Sequence, residues 1–260
     1  MVIADRLDHF WRVCATGICF AAFGIGGLFL RLVAFPLLIV FVRPQPRRTV
    51  AARALVGAAM RLFVWAMRSL GVLSYDVHGA EKLQRTGLLL LANHPTLIDV
   101  VFLMSLVDRP DCVVKAPLER NPFTRGPVQM AGFIRNDSGP ALVADAISSL
   151  RAGNNLIIFP EGTRTPRSGQ LRLQRGAANI AVRGAVDITP VVIRCRPPTL
   201  AKGNRWYHVP RRRAQFDILI GDDIAIAPFL GNPAGDALAA RHLTESLTRT
   251  FAMELARDDA

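Results

Sequence analysis

From Val13 to Leu30 the chain carries no charged residue, and after the single Arg31 the apolar run resumes to Val42. As one helix, the stretch between Arg12 and Arg43 would be about 45 Å long, against a bilayer hydrocarbon core of about 30 Å. Pro36 with Gly24, Gly26 and Gly27 favours a bent or broken helix. A secretory signal is disfavoured, because Arg6 and Arg12 are offset by Asp5 and Asp8, the run is too long, and no clear cleavage site is present. Arg31 inside the run keeps a buried soluble helix open as the alternative.

Arg43, Arg47, Arg48 and Arg53 come directly after it, and the positive-inside rule puts that side in the cytoplasm. Residues 50–70, VAARALVGAAMRLFVWAMRSL, carry Arg53, Arg61 and Arg68 at spacings of eight and seven, one narrow stripe of a helix. Such a helix suits the membrane interface with its arginines at headgroup level; a core helix with one basic edge fits the same pattern. Residues 1–70 hold nine arginines against two aspartates, a net of +7 within a chain total of +12. That excess coincides with the most apolar part of a chain that is 51% hydrophobic. Anionic lipid is therefore favoured over nucleic acid, for which no recognition motif is present. Cys14, Cys19, Cys112 and Cys195 form no CxxC pair and no zinc spacing, so they read as reduced, small hydrophobes.

From Gly71 the texture changes. Short β-like runs (LSYDVHG, GLLLLAN, CVVKA, NLIIFP, DITPVVIRC) alternate with helical stretches from Thr96, near 118–130, at 140–151 and at 175–183. Residues 197–213 read as a long loop, succeeded by a strand AQFDILIG and a terminal helix from about Pro233. The pattern predicts an α/β fold, a mostly parallel sheet flanked by helices and preceded by an N-terminal membrane-embedded helical segment. The division expected is 1–70 for membrane-associated helices and 71–260 for the catalytic domain.

No GxSxG elbow, P-loop, HExxH or GxGxxG opening a helix occurs, so serine-hydrolase, nucleotide-binding and zinc-protease readings lack support. The stretch NHPTLIDV places His94 in a turn after an apolar strand and Asp99 five residues on. Thr96 to Asp99 fits a capping box, which alone would explain the carboxylate. The same geometry lets Asp99 accept from one imidazole nitrogen and leave the other free as a base, with the nucleophile supplied by a substrate hydroxyl. A second stretch, NLIIFPEGTRTPRSGQLRLQRGAAN, gathers Arg164, Arg167, Arg172 and Arg175 around the single acid Glu161. Backbone N–H groups at Gly162 and Thr163, the Arg164 fork and a helix start near Gly176 can make a phosphate site. A solvated basic loop fits equally.

NHPTLID together with FPEGTR resembles the glycerolipid acyltransferase family, typified by 1-acyl-glycerol-3-phosphate acyltransferase, over about Tyr75 to Arg194. The resemblance implies direct acyl transfer from a thioester, acyl-coenzyme A or acyl carrier protein, to a lysophospholipid hydroxyl. His94 and Asp99 would be catalytic, and Glu161, Gly162, Thr163 and Arg164 would contact phosphate. No metal and no further cofactor are implied. Where the family has G-x-I-F-I-D-R, this sequence reads AGFIRND, so Arg135 is displaced by one residue and Asn136 stands in its place. That departure keeps a lyso-aminolipid or polyene-type acceptor open, as it does a thioester hydrolase. Trp206, Tyr207 and His208 can line an acyl channel or simply pack a surface loop.

Overall fold

The computed structural model describes residues 2–137, 139–166, 171–231 and 235–257, with side chains from Asp5 onward except at Pro140. Arg167 lies outside the described residues. The N-terminal segment is helical without interruption: α1 (Val2–Phe29) continues through a π-helical turn, Leu30–Ala34, into α2 (Phe35–Phe41). The expected break is therefore absent. Pro36 has no N–H to donate and its ring crowds the preceding turn; the wide turn just ahead of it, closed by the Phe35 N–H on the Leu30 carbonyl, accommodates both.

The glycines serve close approach instead of breakage. A Cβ on Gly27 would sit 2.1 Å from the Phe123 carbonyl oxygen, and one on Gly17 would sit 3.2 Å from the Trp206 ring. Gly126 meets the Arg31 backbone in the same way from the other side. Arg12 donates to the Arg211 carbonyl and Trp11 to the Leu70 carbonyl. One flank of the helix is thus bound to the rest of the chain from about Trp11 to Phe35. Its other flank exposes Phe10, Ile18, Ile25, Phe29, Leu32, Val40 and Phe41.

The sheet has seven strands: β1 (Leu73–His78), β2 (Leu89–Ala92), β3 (Pro110–Val114), β4 (Ile134–Arg135), β5 (Asn155–Ile158), β6 (Ile188–Arg196) and β7 (Ala214–Ile220), in the order β1-β7-β6-β2-β5-β3-β4. Every pair is parallel except β6 with β7, which the 197–213 loop joins as antiparallel neighbours. The central strands β2 and β5 are buried at every residue, as two-sided burial demands of an LLLLA or NLII run. Alternate residues feed two cores. Leu90, Ala92 and Ile157 face α3 (Gln45–Ser69) and α4 (Asp99–Leu106); Leu89, Leu91, Leu156 and Ile158 face α7 (Pro140–Arg151), α8 (Gly176–Gly184) and α9 (Asp236–Ala256).

Three local readings change. The helix expected near 118–130 is two short ones, α5 (Pro117–Arg120) and α6 (Arg125–Met130). Asn121 precedes Pro122 and takes an extended ψ of 123°, as a residue before proline prefers. The helix expected from Thr96 begins at Asp99. The third change concerns Arg53, which leaves the expected headgroup stripe and turns inward, 6% exposed. Its Nη2 lies 2.7 Å from Oδ2 of Asp111, its Nε donates to the Ala131 carbonyl at 2.8 Å, and Ser149 also donates to Asp111. Helical spacing cannot reveal a carboxylate 58 residues away. Arg61 and Arg68 do stay exposed, Arg68 over the Tyr75 ring.

Removing one partner of that buried pair leaves the other charge uncompensated. Arg53→Met should cost about 3–5 kcal/mol, whereas pairing it with Asp111→Leu should recover most of that loss. Urea unfolding in detergent reads both.

Candidate functional site

Parallel neighbours β2 and β5 end at the same sheet edge, where open α/β sheets bind ligands. The turn after β2 is fixed first by Asn93. Its side chain prolongs the ladder to β6, donating to the Ile193 carbonyl at 2.8 Å and accepting the Ile193 N–H at 2.7 Å. His94 comes next. Its Nδ1 lies 2.8 Å from Oδ2 of Asp99, and its ring stacks on Phe159 at 4.2 Å between centroids, 26° from parallel. Thr96 donates its N–H to the same Asp99 oxygen at 2.7 Å and its hydroxyl to the other. With the helix starting at Asp99 and Ile98 before it, these are turn contacts and not a capping box, and they coexist with the imidazole contact instead of replacing it.

Asp99 is fully buried and His94 keeps its side chain 18% exposed. Burial pushes the Asp99 carboxyl above the ordinary carboxylate range, while the His94 and Thr96 hydrogen bonds pull it back. An ionised Asp99 only accepts, so it selects the tautomer with hydrogen on Nδ1 and leaves a lone pair on Nε2. This is the geometry of an oriented general base.

Glu161 is tied to the turn that carries His94. Oε1 of this 6% exposed residue accepts the His94 backbone N–H at 2.9 Å and the Thr165 hydroxyl at 2.7 Å. The Thr165 N–H in turn donates to the His94 carbonyl at 2.7 Å. The loop after β5 thus clasps the turn after β2. Gly162, at φ +65°, donates its N–H to the Phe159 carbonyl, and a Cβ there would strike Gln174 at 2.7 Å. Its N–H is spent on the turn. The N–H groups of Thr163 and Arg164 have no acceptor among the described residues. Arg164 donates through Nη1 to the Leu200 and Ala201 carbonyls at 2.9 and 3.1 Å, which leaves Nε and Nη2 available.

Arg135 ends β4, three strands from β2 and so about 14 Å along the sheet. It is held by Asp137 at 2.9 Å and Glu119 at 3.6 Å. Asn136 beside it donates its backbone N–H to the Val114 carbonyl. Lys115, just past the end of β3 and exposed, adds a cation to this edge that composition alone does not single out. Asn93, Thr165 and Phe159 also escape sequence reasoning; their adjacency to the two motifs is the only signal. Trp206 packs against Gly17 and Phe20 of α1, at 6.1 Å between the Phe20 and Trp206 rings, while Tyr207 packs edge-on to His208. No group of three or more metal-ligating side chains occurs among the described residues.

Residues 74–194 match the family model described as Acyltransferase. The chain is 26% identical over 137 residues to the 1-acyl-sn-glycerol-3-phosphate acyltransferase of Pseudomonas aeruginosa, covering 50% of this chain and 53% of that one. It is 30% identical over 145 residues to the protein of that name from Saccharomyces cerevisiae, covering 51% and 47%. To the lyso-ornithine lipid O-acyltransferase of P. aeruginosa it is 29% identical over 163 residues, covering 61% and 58%. The chain spans about half the length of the curated relatives it matches. The crystal structure of the 1-acyl-sn-glycerophosphate acyltransferase PlsC from Thermotoga maritima superposes with a TM-score of 0.68 over 97% of this chain and 98% of that one, at 19% identity, a likeness of fold.

Glu161→Ala removes the acceptor of both the His94 N–H and the Thr165 hydroxyl. It should cost about 1–3 kcal/mol, the penalty of stranding buried donors, and Glu161→Gln, which keeps one acceptor oxygen, should cost less. Thermal unfolding of the two variants compares them.

Proposed function

We propose that this chain, whose residues 74–194 match the Acyltransferase family model, moves a fatty acyl group from a thioester donor to the free hydroxyl of 1-acyl-glycerol-3-phosphate at a membrane surface, giving phosphatidic acid. The observation that carries this reading is the buried Asp99 on Nδ1 of a partly exposed His94. No serine or cysteine among the described residues hydrogen-bonds to that imidazole. A base oriented without a protein nucleophile suits a reaction whose nucleophile arrives on the substrate.

In the proposed step, Nε2 of His94 takes the acceptor hydroxyl proton as that oxygen bonds to the thioester carbonyl carbon. The tetrahedral intermediate then collapses, the C–S bond breaks, and the leaving thiolate receives the proton from the imidazolium. Asp99 holds the imidazolium in place and offsets its charge. Glu161 acts as a positioning residue on the His94 backbone, and Arg164 with the Thr163 and Arg164 N–H groups contacts the acceptor phosphate. Lys115 supplements them.

Membrane attachment is part of the reading. The helix from Asp5 to Phe41 has 37 residues and is only 17% buried over its most apolar window. At about 55 Å it is far longer than a bilayer core is thick. With one flank covered by the domain along most of its length, a helix lying in one leaflet is favoured over one crossing the bilayer. Residues 1–70 then form the membrane-facing part and 71–260 the catalytic domain. The Arg43, Arg47 and Arg48 cluster favours the cytoplasmic leaflet. Acyl-coenzyme A and acyl carrier protein both suit the basic surface as donor, with no further cofactor or metal.

One observation favours a second acceptor. Arg135 is already neutralised by Asp137 and Glu119, which removes a phosphate-binding cation from the edge and leaves a lyso-ornithine-type headgroup as the alternative. Thiol release from a long-chain acyl-coenzyme A, with lysophosphatidic acid, with lyso-ornithine lipid and with neither, separates these readings from a hydrolase. Release that needs lysophosphatidic acid supports the first. Release with neither acceptor, yielding free fatty acid, overturns acyl transfer. His94→Ala should lower turnover by roughly 10²–10⁴-fold with folding intact. Arg164→Ala should chiefly raise KM for the phosphorylated acceptor.

A further inference from the structure

Arg31 is the one charge inside the apolar run, and the proposed reaction makes no use of it. The π-helical turn Leu30–Ala34 carries it to a cavity of about 260 Å³ between α2 and α6, where Arg125 meets it. Gln129 completes the polar side, and Phe35, Ile39 and Met130 form the apolar wall. Arg31 donates through Nη1 to the Pro122 carbonyl and Arg125 through Nε to Gln129, both at 3.3 Å. Neither guanidinium has a carboxylate partner among the described residues. Ile39 of the lining is itself exposed, and the exposed Leu32, Val40 and Phe41 stand on the flank of the same helix that faces away from the rest of the chain.

Two uncompensated guanidinium groups at the border of a lipid-facing surface are costly unless an anion joins them. The cavity is smaller than the roughly 300–1,000 Å³ of sites that enclose a whole small molecule. It has room for a headgroup whose chains remain outside, along the exposed apolar residues of α2. We infer that Arg31 and Arg125 bind the headgroup phosphate of an anionic phospholipid, whose acyl chains lie along Ile39 and the other exposed residues of α2. The inference rests on the membrane reading above, and it concerns a resident lipid, not the acyl acceptor. A bound lipid here would fix the depth and rotation of the helix in its leaflet.

Native mass spectrometry of the full chain in non-ionic detergent, titrated with phosphatidylglycerol or phosphatidylcholine, tests it. One phosphatidylglycerol per chain should bind in preference to phosphatidylcholine. Arg31→Gln with Arg125→Gln should weaken that adduct by roughly tenfold per arginine, as expected when a charge-assisted hydrogen bond is lost. Arg125→Gln alone, at an exposed residue, should give the single-step loss with the fold unchanged. Arg164→Ala should retain the adduct, and so should the charge-matched pair Arg61→Gln with Arg68→Gln. An adduct that survives in the Arg31 and Arg125 variants overturns the inference, as does one lost equally in either control. Flotation on neutral phosphatidylcholine vesicles checks the membrane reading separately. Wild type and variants should all float through the apolar flank; if wild type fails to float, both readings fall.

Discussion

Two loops leave adjacent parallel strands, and one carboxylate ties them together. Without Glu161 the turn after β2 and the loop after β5 would keep the Thr165 N–H on the His94 carbonyl and the stacking of His94 on Phe159, but lose the carboxylate that joins them. A parallel sheet brings strand ends to one edge, but it does not set the orientation of the turns and loops that leave them. Here the orientation comes from side chains that complete backbone hydrogen bonding: Asn93 on Ile193, Glu161 on His94, Asp99 on Thr96. Each of the three is buried, so each is made where competition from water is weakest. The imidazole stays partly exposed while Asp99, Glu161 and Asn93, which fix it and its turn, are held in the interior, which is what preorganisation of a base requires.

The same sheet explains why the N-terminal helical layer can be so apolar. Strand parity splits the interior into two cores, and the one on the α3 and α4 side continues outward into Phe23, Ala34 and Leu38 of the N-terminal helix. That helix is bound through glycines facing Phe123 and Trp206 and through polar contacts at Arg12 and Trp11. Close backbone approach substitutes for bulky interdigitation, so large side chains are left for the opposite flank. Helix association through small residues is the packing mode suited to lipid, where apolar surface alone gives no drive to associate.

Much of this was legible in the sequence because the relevant signals are local. The LLLL and NLII runs reported two-sided burial, and five-residue spacing placed Asp99 under His94. The antiparallel return of β7 and the two-residue edge strand β4 were not legible, because strand direction and short pairings are decided by loop closure and not by apolar period. Gly24 and Gly27 read as breakers for the same reason: a glycine required for contact with Phe123, far along the chain, looks identical to one that weakens a helix. The stripe of Arg53, Arg61 and Arg68 had the right period but concealed that Arg53 has a buried partner. Glu161 was placed with the phosphate-contacting residues only by the family resemblance, and no local pattern announces that it accepts the His94 backbone N–H.

Pairing sorts the arginines by what they do. Arg53 with Asp111, Arg85 with Asp223 and Arg135 with Asp137 each have a carboxylate, and each joins segments of the chain or saturates its own loop. Arg31, Arg125 and Arg164 have only carbonyl or amide acceptors among the described residues, and each retains N–H groups with nothing to donate to. A carbonyl orients a guanidinium without neutralising it. Such a residue is held in place and still carries its charge, which is the state that receives an anion without first giving one up. In a chain with a net charge of +12, the number of cations therefore says little about where anions bind. The distribution of the carboxylates says more, because a guanidinium they leave uncovered keeps a charge that an anion can balance.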